Sequence, residues 1–471
     1  MTDLKRKAII ELDIESLAFG GRGIGRTEEG RVVFVDDALP GQRVSAQIVK
    51  MKKRHAEARL VDVITPSPEE VEPRCVHFGT CGGCRLQHLD YEAQMREKED
   101  QVREALRRIG GFRDLETEPI FPSPRIYGYR NKMEYSFGDM RWLTSEEMED
   151  PSSVPGRDFA LGLHPRGHWS RTLHLTDCHL PDPFSVEILR EVQKSTSQSR
   201  FRPYSTGGHT GFWRFLTIRE GVRTRQWLVD IITADDPTGS GEVETLARHL
   251  KAAFPGITTI THTRSRSKAN VATGEKEQII IGSGFIEDEV GGLTFRISPR
   301  AFFQTNTEGA ERLYETVVRF AELTGSERVY DLFCGTGTIA LLLASRAGEA
   351  VGVERERAAI IDATANAELN GIGNARFIEG DATRLLREGP VWGDPDVIVL
   401  DPPRAGLHPD LRELIPTLGA RRIVYVSCNP TTLAADLKEI CGNHYRLEVV
   451  QPIDMFPHTP HVECVTLLVQ E

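Results

Sequence analysis

The residues best placed to do chemistry lie near the end of the chain. Cys428 stands in Ser427-Cys428-Asn429-Pro430, where the apolar run RRIVYV stops and TTLAADL begins a helical pattern. A thiol at that junction projects from a strand end beside a helix N-terminus, whose partial positive charge favours the thiolate. Thirty-five residues on, Glu463 in HVECV opens another strand-like run, and a carboxylate there can reach the same cleft as a base. A single strand-end cysteine is more often a small buried apolar residue. What sets Cys428 apart is the neighbouring DPPRAGL, in which Asp401 follows the apolar run DVIVL and Pro402 and Pro403 fix the loop backbone. Cys464, on the opposite strand face from Glu463, and Cys334, in a glycine-rich turn, compete by composition only.

A second group of residues suits a nucleoside. VYDLFCGTGTIALLLA reads as a strand, a glycine-rich turn and a helix start, with Asp331 on the strand and Gly335 and Gly337 in the turn, where a ligand can approach the backbone. Nineteen residues after Gly335, Glu354 ends VGVE, where a carboxylate can take both ribose hydroxyls. Asp381 in EGDA either reaches an adenine edge or caps the next helix. A nicotinamide dinucleotide would satisfy the ribose logic, but Ala340 replaces the third glycine of GxGxxG and no pyrophosphate cradle is evident. S-adenosylmethionine fits better. A methyl donor beside a thiolate suggests methylation of a pyrimidine at carbon 5, a carbon too weakly nucleophilic to attack a sulfonium unaided. Addition of Cys428 at carbon 6 would activate it, and Glu463 would then remove the carbon-5 proton so that the cysteine can leave.

Four more cysteines form a third group. Cys75, Cys81 and Cys84 lie in CVHFGTCGGC, and Cys178 in TDCHL about ninety residues on. Four thiolates can hold zinc or an iron-sulfur cluster. The gaps of five and two residues differ from the paired CxxC of zinc ribbons, and Gly82-Gly83 leaves room for a bulky cluster. His77, His88 and His179 read as ordinary neighbours of this site.

These sites need elements to carry them, and 471 residues allow several domains. Residues 1–65 alternate in short β-branched runs with glycine and proline breaks, a small closed barrel. Within 66–290, DYEAQMREKEDQVREALRRIG predicts a surface helix around Met95, Val102, Leu106 and Ile109 that ends at Gly110. RNKMEYSFG, ALGLHP, FLTIRE, QWLVDIIT, TTITHTR and QIIIGSG predict a mixed α+β, mainly antiparallel unit with one helix, VETLARHLKAAF. From 291 to 471, strands and helices alternate as in a doubly wound, Rossmann-like α/β sheet, whose chemistry belongs at the carboxyl ends of its strands.

DLFCGTGTIAL, DPPRAGL, SCNP and HVEC, in that order, resemble the RNA uracil-5 methyltransferase family across 296–471. The resemblance implies an S-adenosylmethionine-dependent enzyme with cofactor contacts from Gln304, Phe333, Thr338, Glu354, Asp381 and Asp401, with Cys428 as nucleophile and Glu463 as base. Thr338 replaces an asparagine of some members. Related cytosine-5 enzymes place a cysteine after their proline motif; Arg404 stands here and argues for uracil. The family also implies a 4Fe-4S cluster on Cys75, Cys81, Cys84 and Cys178, and packing of helix 90–120 on the catalytic part. The barrel, with GGRGIGR and DALPGQRV, resembles the TRAM RNA-binding module.

The expected partner is therefore RNA. In YGYRNKMEYSFG, Tyr127, Tyr129 and Tyr135 interleave with Arg130 and Lys132, which suits either stacking on unpaired bases or an ordinary strand with core tyrosines. KMKKR at 50–54 is the densest basic cluster, a weak polyanion signal or a solvated strand edge. The net charge of −11 argues against binding by bulk charge alone. By family analogy, barrel and cluster together favour 23S ribosomal RNA, with transfer RNA as the alternative. A non-catalytic, redox-sensing RNA-binding iron-sulfur protein is the competing class, opposed by the presence of both Cys428 and Glu463. No apolar run suits a membrane span, and acidic residues fill the N-terminal stretch where a secretory core would be apolar. A cytoplasmic monomer is expected.

Overall fold

The computed structural model describes residues 5–154, 156–389, 392–442 and 444–471. Strands β1 (Ile9–Ala18), β2 (Arg22–Arg26), β3 (Val32–Asp36), β4 (Arg43–Met51) and β5 (His55–Thr65) close into a barrel in the order β1-β2-β3-β5-β4. Alternation puts Leu12, Ile14, Val33, Val35, Val44 and Ile48 inside, and burying such aliphatic side chains drives closure. Lys52, Lys53 and Arg54 are exposed at the tip of the β4–β5 hairpin.

Helix α1 (Tyr91–Ala105), capped by Asp90, runs into a π-helical turn at Leu106–Gly110. It is not a surface helix. Its buried side chains include Gln94, Lys98, Gln101, Val102 and Ala105, whereas Ile109 is exposed. Val102, Ala105 and Leu106 join the core of the C-terminal sheet, in keeping with the packing that the family resemblance implies.

Eight strands form the central sheet: β6 (Lys132–Gly138), β7 (Arg141–Trp142), β8 (Ala160–Leu163), β9 (Thr172–His174), β10 (Trp213–Gly221), β11 (Gln226–Ala234), β12 (Ile257–Ser265) and β13 (Lys276–Ile281). Their order is β13-β12-β11-β10-β6-β8-β9-β7, antiparallel except for β11–β12 and β7–β9. Besides the short α2 (Ser145–Glu149), two helices accompany it rather than the one expected: α3 (Pro183–Ser197) and α4 (Ser240–Ala253). Asp182 accepts the Phe184 amide and Pro183 opens α3, a start signal present in the sequence.

The hairpin β14 (Ile286–Val290) and β15 (Leu293–Ile297) joins the core of the last unit. Helix α5 (Thr307–Ala321) precedes β16 (Arg328–Leu332), α6 (Thr338–Ala344), β17 (Glu349–Glu354), α7 (Arg357–Leu369), β18 (Ala375–Glu379), α8 (Ala382–Arg387), β19 (Val397–Leu400), α9 (Pro409–Leu414), β20 (Arg422–Ser427), α10 (Pro430–Cys441), β21 (Tyr445–Ile453) and β22 (Glu463–Gln470). The sheet order is β18-β17-β16-β19-β20-β22-β21. β16 to β20 are parallel, as expected, but β22 runs antiparallel to both neighbours. That reversal matters: it brings the first residue of β22 to the end of the sheet where the parallel strands finish.

Among the described residues, no helix is long and apolar enough to cross a membrane.

Candidate active site

The register of the sheet assembles the site. Ser427 pairs with Cys464 across β20 and β22, so Cys428, one step beyond β20, continues opposite Glu463. Leu332 pairs with Leu400, which sets Asp401 beside Phe333 at the start of the glycine-rich turn. The Asn429 amide donates to the Arg404 carbonyl at 3.1 Å, tying SCNP to DPPRAGL, while the Asn429 carbonyl-type side-chain oxygen accepts the Thr431 amide and caps α10. Motifs far apart in sequence thus meet at one edge.

The electrostatics are those of a dry acidic cleft. Glu463 is only 6% exposed, and burial, then the Asp401 charge, push its carboxyl up to about 8 against the pull of Arg404. Asp401 rises to about 7 by burial. Cys428 rises to about 11, through burial first and Glu463 second, with Arg404 opposing. The expected thiolate at the helix N-terminus is therefore not the resting form: desolvation and two neighbouring carboxyls outweigh the helix dipole. Arg404 itself is exposed and lies 3.3 Å from His461 Nε2.

The remaining predicted cofactor residues lie around the turn. Phe333 adopts a left-handed φ of 78°, unusual for a bulky residue, and its amide donates to the Val353 carbonyl at 2.9 Å. Gly337 has φ 82°, and a Cβ there would stand 2.8 Å from the Phe377 ring. Glu354 accepts amides from Gly335 (3.2 Å), Arg355 (2.7 Å) and Glu356 (2.9 Å), which aim its carboxylate across the turn. Asp381 does cap α8, accepting the Arg384 amide at 3.0 Å with one oxygen, and it also lines an open cleft of about 660 Å³ with Phe333 and Pro403. The capping reading of Asp381 is the one seen directly. Gln304 is half-buried in the loop before α5, its carbonyl held by Asn131 at 2.9 Å. Thr338 is buried at the first turn of α6.

Two residues outside the predicted set belong to this neighbourhood. Asp331 is 1% exposed, and burial followed by the Asp401 charge raises it to about 8 against a backbone hydrogen bond at Ala340. The buried Tyr314 hydroxyl bonds Thr338 and feels Asp401, Asp331 and Glu463, with burial holding it protonated. Asp331 was visible in the sequence as a strand residue, but nothing there reported how burial raises it; Tyr314 had no signal beyond its place in a helical repeat.

Cys75, Cys81, Cys84 and Cys178 are free thiols of the central unit, and Cys178 feels the other three electrostatically. Burial raises all four, Cys81 and Cys178 to about 12 and Cys84 to about 11, and each of Cys81, Cys84 and Cys178 is raised further by other members of the set. Among the described residues, no three His, Cys, Asp or Glu side chains stand where they could hold a metal ion. His77 Nε2 accepts the Thr176 amide at 3.0 Å, the neighbour role expected of it.

The tyrosines of YGYRNKMEYSFG do not offer faces to RNA. Tyr129 and Tyr135 are buried, with the Tyr129 hydroxyl donating to the Pro457 carbonyl. Tyr127 carries Arg74 over its ring at 5.1 Å and stacks on His458 at 4.3 Å. The core reading holds for this segment.

Comparison with known proteins converges on one chemistry. Residues 394–471 match the family model described as tRNA (Uracil-5-)-methyltransferase, residues 4–61 the TRAM domain and residues 323–407 a methyltransferase domain. A protein of Chlorobaculum tepidum named as an RNA methyltransferase is 41% identical, over 97% of this chain and 95% of its own. One of Porphyromonas gingivalis with the same description is 39% identical, over 98% and 99%. The crystal structure of Pyrococcus abyssi tRNA (uracil-54, C5)-methyltransferase in complex with S-adenosyl-L-homocysteine superposes with a TM-score of 0.75 at 28% identity, covering 98% of this chain and all of that one.

Proposed function

The chain belongs to the RNA uracil-5 methyltransferase family, and from that premise we propose that it methylates carbon 5 of a uridine in 23S ribosomal RNA through a covalent Cys428 adduct. The observation that carries the mechanism is the register that sets Cys428 opposite a buried Glu463 at the sheet edge. S-adenosylmethionine supplies the methyl group. Once its proton has passed to solvent, the Cys428 sulfur adds to carbon 6 of the flipped base, which makes carbon 5 nucleophilic; carbon 5 takes the methyl group and S-adenosylhomocysteine leaves. Glu463, raised to about 8, is poised near neutral pH to accept the carbon-5 proton after transfer, and the sulfur then leaves. Glu354 would bind the ribose, Asp381 the adenine, and Phe333, Gln304, Thr338 and Asp401 the rest of the donor.

The ribosomal target is supported by the barrel and the four-cysteine site occurring in one chain. Transfer RNA is the second reading, favoured by the Pyrococcus neighbour. Mapping carbon-5-methylated uridines in both RNAs of a deletion strain decides between them: loss from transfer RNA alone overturns the ribosomal assignment.

We further propose that the four thiols hold a 4Fe-4S cluster that ties the central unit together. The donor set supports it: four soft sulfurs, each raised by burial, so that a bound cation would favour their ionised forms. Gly82 keeps the loop close, since a Cβ there would stand 3.0 Å from the His164 carbonyl oxygen. Iron, sulfide and zinc analysis of anaerobically purified protein tests it; stoichiometric zinc without iron would reject the cluster.

A further inference from the structure

The loop 454–462 between β21 and β22 delivers Glu463 to the cleft, yet most of the bonds that fix it come from elements far away in sequence. Lys98 of α1 and Asp454 are both fully buried and pair at 2.7 Å. Lys98 also donates to the Phe456 carbonyl at 3.1 Å, and the Tyr91 hydroxyl donates to the second Asp454 oxygen at 2.7 Å. One helical turn before Lys98, on the same face of α1, the Gln94 side-chain oxygen accepts the His458 amide at 2.9 Å. The His458 carbonyl accepts the amides of Arg85 and Leu86 at 2.8 and 3.0 Å, and Gln94 donates to the Leu86 and Leu89 carbonyls at 2.8 Å each. His458 itself adopts a left-handed φ of 64°, a conformation such a clamp must hold in place.

A buried Lys–Asp pair is a poor way to gain stability, because both ions lose their water, and an apolar pair of similar volume often does as well. What such a pair does supply is direction. Pairing with Ile453 registers the backbone of Glu463, the clamp fixes the loop that leads into it, and misplacement of the carboxyl by about an ångström is enough to slow proton transfer.

We infer that Lys98 and Gln94, acting through Asp454 and His458, are positioning residues for the Glu463 carboxyl, holding its loop so that it meets the carbon-5 proton. This rests on the reading of Glu463 as the base. The clamp acts after the Cys428 adduct has formed, so cutting it should stall the reaction at that adduct rather than prevent it.

Two variants cut the clamp at independent points: Lys98→Met/Asp454→Leu replaces the ion pair by an apolar one, and Gln94→Met removes the His458 contact. Each is incubated with S-adenosylmethionine and ribosomal RNA from cells lacking the gene, labelled with tritium at uridine carbon 5. The expected result, in whichever variant folds, is a denaturant-stable protein–RNA adduct at least about tenfold above the unaltered enzyme, tritium release reduced by about the same factor, and an unchanged KM for S-adenosylmethionine. Turnover fails mainly in kcat. A folded variant with normal tritium release, or one whose methylation falls without any adduct, overturns the inference. Glu463→Gln runs in parallel. An adduct there but not in the clamp variants rejects the clamp and leaves the base in place, whereas no adduct in Glu463→Gln rejects the base and the clamp with it.

Discussion

The chain carries two thiol sites that burial treats alike and surroundings treat differently. At the central unit, Cys81, Cys84 and Cys178 are pushed up to about 12, 11 and 12 by burial and by one another or Cys75, with Arg130 opposing at Cys84. At the catalytic edge, Cys428 is pushed up to about 11, but it faces a buried carboxyl, Glu463, and a counter-charge, Arg404. Under the proposed function, a bound cation would resolve the first arrangement by neutralising several sulfurs at once. The second would be resolved by the proposed reaction, in which one sulfur forms a bond and a neighbouring carboxyl moves a proton. A thiol's role therefore follows from what could neutralise it, not from how far its acidity is displaced.

Removing the sulfur from each site should break the two apart most sharply. Cys428→Ala is expected to lower methyl transfer by at least about a thousandfold while S-adenosylmethionine binding, followed by calorimetry, stays as it was. Retained turnover would end the covalent scheme. Glu463→Gln comes next, with a loss of roughly a hundred- to ten-thousandfold and a trapped RNA adduct visible on a denaturing gel. Cys81→Ser should act on the other site alone: iron and sulfide are lost and the melting temperature falls by roughly 5 °C, while turnover of the folded fraction stays within about tenfold. An equal collapse of turnover would mean the two sites are not separate in role.

How much of this was legible in the sequence depended on whether the deciding contact was local. The barrel, the parallel strands and the glycine turn follow from periodicity and punctuation, and DPPRAGL and SCNP mark strand ends that the sheet does bring together. The α1 helix was placed but its faces were misjudged. Beside Val102 and Ala105 its buried face carries the polar Gln94 and Lys98, and hydrophobic spacing cannot find residues that are buried for their hydrogen bonds. Helix α3 went unread although Asp182-Pro183 announced it. The tyrosines of 127–138 left stacking and core packing open because the groups that cover Tyr127, the Arg74 guanidinium and the His458 ring, come from elsewhere in the chain. The resting state of Cys428 was misread for the same reason: the helix N-terminus is adjacent in sequence, and the carboxyls that oppose it are not.

The finest test of the comparison lies in Arg404, which faces Cys428 and Glu463 together. Glu463 titrates at about 8, so its proton-accepting form grows as pH rises through that value, and turnover should climb between about pH 6 and 9. Arg404 draws both Glu463 and Cys428 downward, so Arg404→Gln should raise both and move the rising limb to higher pH. The deficit would then be roughly tenfold near pH 7 and shrink toward alkaline pH, where both groups ionise without help. A role for Arg404 in gripping RNA phosphate predicts another pattern, a loss uniform with pH and relieved by raising RNA concentration. A pH–rate profile taken at saturating RNA separates these, because only electrostatic tuning of the thiol and carboxyl leaves a deficit that depends on protons and not on substrate.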